Sequence, residues 1–396
     1  MHLDPLMPTV VAALLGVLLI AVLLRLVKQP HVVAYLLAGV LMGPHGIGLI
    51  GDAATIERLG ALGVVLLLFF IGMEVSPREL IRGWRVSVGG TLFQIVVSVL
   101  CVWTIGAWRD WPLARVVLFG FVISLSSTAV VLKLLQENDE LETPVGRNVL
   151  GILLAQDVAI IPMLIIIGTF GGADAASGNL MLQGTGALLI CGLLAWATFG
   201  EHVQLPFATV LRQDHEIQVF AALGICFGLS LLTGLFGLST ALGAFVAGIL
   251  VGAARETQWI HQSLAPFRVL FVALFFVSVG MLVDLTFLWD HLLISSVLVL
   301  LVMATNTFIN AAILKLLGNS WEESTYAGAL LAQIGEFSFV LALVGHQSEI
   351  VGPFAYQLAI TIISLSLFLS PLWIRLAQRY TGAGGRRSEP PPPLEH

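Results

Sequence analysis

Apolar runs of roughly 18 residues or more follow one another from residue 9 to residue 375. Each is long enough to cross about 30 Å of hydrocarbon as a helix. No other feature constrains this chain as tightly, because a run of that kind must avoid water wherever it sits. Composition agrees: 11% of residues are charged and 58% are apolar, where a soluble chain carries about 25% charged residues, and the mean hydropathy is +0.98. The expected class is an all-α polytopic membrane protein.

Turn residues and charges divide the chain into thirteen segments, with cores at 9–27, 32–50, 59–76, 86–107, 113–135, 148–170, 180–200, 217–233, 237–253, 266–283, 291–315, 323–346 and 355–375. Segment 180–200 is Gly-rich, and a short Leu-Phe-Gly turn is all that divides 217–233 from 237–253, so twelve is the alternative count. With the N-terminus outside, only Arg58, Arg109 and Arg115 of the 18 basic residues face outwards. The others fall in cytoplasmic connections or the C-terminal tail, as the positive-inside rule requires. Met1 to Pro8 lacks the basic flank of a cleavable signal peptide, so the first run is expected to stay as a span. Cys101, Cys191 and Cys226 lie inside apolar runs and make neither a disulfide framework nor a metal site. The net charge of −6 gives no hint of nucleic acid. Residues 1–380 are expected to form the membrane domain. The polar, Pro-rich stretch 381–396 is expected to be a disordered tail, ending in Leu394-Glu395-His396, which looks like the start of an affinity tag at a truncation point.

A charge at mid-bilayer is costly, so each one found there is a functional candidate. Of the 24 acidic residues, nearly all sit in connections or near span ends. Asp157 and Glu336 do not. Asp157 lies about ten residues into the sixth span, with no basic residue at comparable depth on that span. A carboxylate that can carry either a proton or a metal cation is the minimum equipment for an exchanger. The alternative is a neutral structural acid bonded to a neighbouring helix. For Glu336 the alternative is an acid that satisfies free backbone amides of a broken helix.

Breaks are expected in two spans. Ser124-Leu125-Ser126-Ser127-Thr128 interrupts the fifth, and Gln333 to Ser338 interrupts the twelfth, with Gly335 as its weak point. Ser and Thr compete for backbone hydrogen bonds, and the alternative is that they bond back within intact helices. If 1–170 and 217–375 are two repeats of six spans joined by a linker helix at 180–200, the two breaks occupy matching places. Interrupted helices so placed point to a transporter site. On the eleventh span, Asn306 and Asn310 are either inter-helix glue or braces for those breaks.

Six motifs stand in one order along the chain: Phe69-Phe70-Ile71-Gly72-Met73-Glu74-Val75-Ser76-Pro77; Leu125-Ser126-Ser127-Thr128-Ala129; Gln156-Asp157; Leu238-Ser239-Thr240-Ala241-Leu242-Gly243-Ala244-Phe245; Phe275-Phe276-Val277-Ser278-Val279-Gly280-Met281; and Gly335-Glu336-Phe337-Ser338-Phe339. Together they resemble the transmembrane domain of the Kef-type monovalent cation:proton antiporters. The resemblance implies a sodium/proton antiporter-like fold of thirteen spans in two inverted repeats with two discontinuous crossing helices. It also implies a homodimer, and an elevator movement of a core bundle against a dimerisation bundle. Asp157 would be the transported-ion carboxylate, with Ser126, Ser127 and Thr128 beside it. Full-length relatives of this kind continue into a cytosolic nucleotide-binding regulatory domain, which this chain lacks by nature or by truncation.

Two departures from that family matter. Electrogenic relatives carry adjacent aspartates where this chain has Gln156-Asp157. Some place a lysine on the span that holds Asn306, and no Lys or Arg occurs between Arg268 and Lys315 here. Both favour electroneutral exchange of K⁺ or Na⁺ for H⁺ across a bacterial inner membrane. The cation would be held by Asp157, Gln156, hydroxyl and backbone oxygens, with Glu336, Gly335 and Asn306 in support and neither cofactor nor transition metal. A ligand-gated potassium efflux channel is the alternative, and a non-transporting sensor is a further one. An intramembrane enzyme would need a second catalytic aspartate at depth or paired zinc-binding histidines, and the sequence offers neither.

Overall fold

The structure, a computed structural model, describes residues 6–26, 29, 31–49, 53–74, 85–170, 180–199, 215–254 and 258–381, and the apolar segments within them are predominantly helical. In chain order the helices are α1 (Leu6–Leu26), α2 (His31–Met42), α3 (Ala53–Glu74), α4 (Gly90–Trp108, entered through a π-turn at Arg85–Gly89), α5 (Leu113–Ser124), α6 (Thr128–Glu137), α7 (Pro144–Phe170) and α8 (Leu180–Phe199). They continue as α9 (His215–Leu235), α10 (Thr240–Ala253), α11 (Gln258–Met281), α12 (Leu285–Asp290), α13 (Leu292–Leu316), α14 (Trp321–Leu330), α15 (Phe337–Gln347) and α16 (Pro353–Thr381). No strand occurs among the described residues. Val86–Trp108 and the helices α7, α9, α13 and α16 (from Glu216 in α9) are each long and apolar enough to cross a membrane unaided. Leu14, Leu15, Leu18 and Leu19 on α1 are all exposed, as suits a helix facing lipid.

The expected breaks are present as α5/α6 and α14/α15. Two boundaries differ from the sequence reading. The second segment leaves its helix at Met42, because Ile47 N–H turns back onto the Leu41 carbonyl (2.7 Å) and Gly48 takes a positive φ. The short α12 was not foreseen; its cap is Asp284, whose Oδ1 accepts from the amides of Thr286 (2.8 Å) and Phe287 (3.1 Å). The tail from 382 to 396 lies outside the described residues.

Two bundles form. In one, α2 and α3 pack on α11, α10 packs on α3 and α9, and α1 lies against α2. In the other, α4, α5, α7, α13, α14, α15 and α16 surround the two breaks. Glycines fix the first bundle. A Cβ on Gly39 would meet the Val277 carbonyl and the Gly280 Cα, and one on Gly248 would meet the Phe69 carbonyl and the Gly72 Cα. The α2/α11 and α10/α3 crossings are thus alike, each joining one half of the chain to the other with the roles of the halves exchanged. Without a hydrophobic drive between helices in lipid, such backbone approach is what small residues provide.

The same correspondence extends through the second bundle. Pro162 inside α7 is matched by Pro371 inside α16. Asp139 and Glu349, each just after a half-helix, both have φ of 56°. We expect Gly39→Ala and Gly248→Ala each to lower the melting temperature of the detergent-purified protein by several degrees, since overpacking costs about 1–3 kcal/mol. Gly228→Ala, where an added Cβ meets nothing within 4 Å, should leave it unchanged.

Candidate functional site

A helix that stops in mid-membrane leaves amides and carbonyls that nothing in hydrocarbon can satisfy. The two halves answer this need with the same pattern. In the first, the Ser124 carbonyl accepts from Gln94 Nε2 on α4 (2.9 Å), and the Ser126 amide donates to Gln156 Oε1 on α7 (2.9 Å). In the second, the Ala332 carbonyl accepts from Asn306 Nδ2 on α13 (3.2 Å), and the Ile334 amide donates to Ser366 Oγ on α16 (3.1 Å). Carbonyl, amide and both partner helices correspond one to one.

The breaks also hold each other. Gly335 N–H donates to the Leu125 carbonyl (2.8 Å), and Ser126 Oγ donates to the Leu331 carbonyl (2.8 Å). Ser338 Oγ reaches the Val122 carbonyl (2.7 Å). Asn306 Nδ2 bridges the pair, donating to the Ile123 carbonyl (2.7 Å) as well as to Ala332. Ser127 caps α6 by accepting from the Val130 amide.

Asp157 sits at the midpoint of α7 and is 4% exposed. Thr128 Oγ1, at the first turn of α6, lies 3.2 Å from each carboxylate oxygen. The charged neighbour that Asp157 feels is a second acid, Glu336, at the start of α15. Gln156 is fully engaged: besides Ser126, its Nε2 donates to Gln94 Oε1 (2.8 Å) and to the Ser124 carbonyl (3.1 Å). It ties α7 to the break and so fixes where the next residue, Asp157, presents its carboxylate. The structure thus gathers Ser126, Ser127, Thr128, Gln156, Asp157, Asn306, Gly335 and Glu336 about one crossing.

Two contributors escaped the sequence reading. Gln94, 1% exposed, is a polar residue within an apolar span, and that alone marked it. Pro162 lacks the amide that would bond the Val158 carbonyl, which frees an oxygen one residue from Asp157.

Between the bundles lies a cavity of about 280 Å³, lined by Ile56 and Val64 of α3, Phe275 and Val279 of α11, His346 and Gln347 of α15, and Tyr356 of α16, among others. Phe275 and Phe339 line it and join Phe276 in a buried aromatic cluster, with ring centroids 5.0–6.4 Å apart. Phe339 stands one turn beyond Glu336, so the cluster lies beside the crossing.

Two pseudo-symmetric bundles, crossed broken helices and a buried carboxylate at the crossing define a membrane carrier of the ion-exchanging kind. The family model described as "Sodium/hydrogen exchanger, transmembrane" matches residues 10–377. The chain belongs to this family of cation/proton antiporters, which are multi-pass membrane transporters and not enzymes. It is 36% identical over 371 residues to the iron transporter MagA of Paramagnetospirillum magneticum, covering 93% of this chain and 85% of that protein. It is 33% identical to K(+) efflux antiporter 5 of Arabidopsis thaliana, covering 88% of this chain and 62% of the plant protein. The chain therefore spans about three fifths of that plant relative's length. The fold matches the sodium proton antiporter MjNhaP1 of Methanocaldococcus jannaschii with a TM-score of 0.69, at 18% identity over 96% of this chain and 98% of that one.

Proposed function

We propose that this protein exchanges a monovalent cation, K⁺ or Na⁺, for H⁺ across a bacterial inner membrane, with Asp157 binding each in turn. One observation carries the reading: a buried carboxylate, bonded by the neutral Thr128 hydroxyl, stands where two broken helices cross and has another acid as its charged neighbour. A proton or a metal cation each cancels one negative charge there. The two compete for one group, so occupancy by either excludes the other and couples their movements.

An oxygen shell suits a hard monovalent cation. Here it would comprise the Asp157 carboxylate, the Thr128 hydroxyl, the freed Val158 carbonyl and backbone oxygens of the breaks, while Gln156, Asn306 and Gly335 hold the crossing together. The cleft between the two bundles supports an elevator cycle, in which the bundle holding the crossing slides against the other. A homodimer with the N-terminus outside and the C-terminus cytoplasmic fits the family and the placement of basic residues. The K(+) efflux antiporter relative supports K⁺ as one cargo.

Swapping one charge for one makes the cycle electroneutral, provided Glu336 keeps a single protonation state throughout. The test is flux in proteoliposomes with an internal pH dye and gradients of K⁺, Na⁺ and Li⁺. Fe²⁺ is added because a relative is named for iron. One net charge moving through 100 mV is worth about 2.3 kcal/mol. An electroneutral exchanger should show rates within about twofold whether that voltage is imposed or not. Steep voltage dependence, in the wild type or in Glu336→Gln, would refute the one-for-one cycle. Single-channel currents uncoupled from pH would refute exchange altogether.

A further inference from the structure

The correspondence between the two halves sets the residues of one break against those of the other. Ser126 and Ile334 are counterparts, as are Gln156 and Ser366, since each pair makes the same bond. One residue before each break amide, the first half has Leu125, packed in the core at 1% exposure, and the second half has Gln333. Gln333 is therefore a buried polar side chain whose counterpart in the first half, Leu125, is apolar.

Gln333 is 0% exposed, and neither its Oε1 nor its Nε2 has a hydrogen-bond partner among the described residues. Asn306 Oδ1 is equally buried and unpartnered, although its Nδ2 lies 3.2 Å from the carbonyl of Ala332, the residue next to Gln333. One turn along α13, Asn310 Oδ1 is unpartnered as well. Each orphaned group is costly to bury if nothing meets it. A metal cation satisfies an amide oxygen but not an amide N–H. Water satisfies both, and is the usual occupant of buried polar groups left without a protein partner.

Resting on the antiporter reading, we propose that the Gln333 carboxamide and the Asn306 and Asn310 oxygens form a neutral hydration subsite. It holds water belonging to the transported cation's shell. The ion then meets Asp157 with part of its hydration kept on the side of the second break. Discrimination among alkali cations rests on how well that retained water fits Gln333, because the carboxylate alone distinguishes charge more than size.

Gln333→Met keeps the length and volume of the side chain and removes both polar atoms. In proteoliposomes the variant should raise the apparent KM for the transported cation about tenfold, the loss expected for one hydrogen bond to a charged assembly. Its order of preference among K⁺, Na⁺ and Li⁺ should change, with the maximal rate held within about threefold. Unchanged KM and unchanged preference, together with an equal or higher melting temperature, would show a dry, strained amide and overturn the proposal. If the Met variant does not purify as a monodisperse protein, Gln333→Glu keeps size and oxygen. An unaltered ion preference in that variant is equally fatal. Wild-type exchange and its loss in Asp157→Asn are measured alongside. If either fails, the antiporter reading falls, and if both hold while Gln333 proves silent, only the hydration subsite does.

Discussion

Asp157→Asn lowers cation-dependent proton flux by about a hundredfold or more, the effect of removing roughly 3 kcal/mol of charge-assisted interaction from a binding step. The substitution is nearly isosteric. A carboxamide oxygen still accepts from Thr128 Oγ1, so the bond that positions the side chain survives and the melting temperature stays within a few degrees of wild type. What disappears is the group's capacity to hold a proton in one half of the cycle and a metal cation in the other. Flux followed with a pH dye, beside a thermal melt of the same preparation, separates loss of chemistry from loss of fold. Retained exchange in a folded Asp157→Asn protein would place the carrier elsewhere, with Glu336 as the remaining buried acid at the crossing. Asp157→Glu keeps the charge but pushes it a methylene further towards Thr128, and an intermediate rate is expected.

Much of this arrangement was readable before any coordinates, because lipid imposes simple rules. An acid in mid-span and a Ser/Thr or Gly interruption in an apolar run both violate those rules, so Asp157, Glu336 and the stretches at Ser124 to Thr128 and Gln333 to Ser338 stood out. The repeat was harder to see. Ala38-Gly39-Val40-Leu41 and Ala247-Gly248-Ile249-Leu250 are its clearest traces, with Gly72-Met73 and Gly280-Met281. They are short because volume-conserving apolar swaps leave packing intact, and only the glycines at the closest helix approaches resist exchange. Gln94 was missed for a related reason. A lone glutamine in a span has many possible partners, and its bond to the Ser124 carbonyl links residues 30 apart in sequence. Span bookkeeping finds the half-helices but not which neighbour's side chain closes each one.

Gly335→Ala has the second large effect, and it acts through the joint rather than the chemistry. A Cβ at this position would press on the Ser126 carbonyl, lying 2.6 Å from its carbon and 3.0 Å from Ser127 N. Every one of these atoms is backbone, so no rotamer change relieves the clash and the two breaks must move apart. Doing so lengthens the Gly335 N–H to Leu125 carbonyl bond (2.8 Å) and the Ser126 Oγ to Leu331 carbonyl bond (2.8 Å) together. Overpacking of this kind costs about 1–3 kcal/mol, and each lost buried bond adds about 1 kcal/mol. The melting temperature should fall by several degrees and exchange by at least about tenfold, because Thr128 stands only two residues beyond Ser126 and shifts with it. The measurement that isolates the joint is a comparison with Gly345→Ala, where the added Cβ meets the Leu118 side chain instead of backbone. A flexible side chain can yield, so that variant should lose less than half as much stability. Equal losses at the two sites would mean that α14 and α15 carry strain evenly, and that the crossing has no special claim to rigidity.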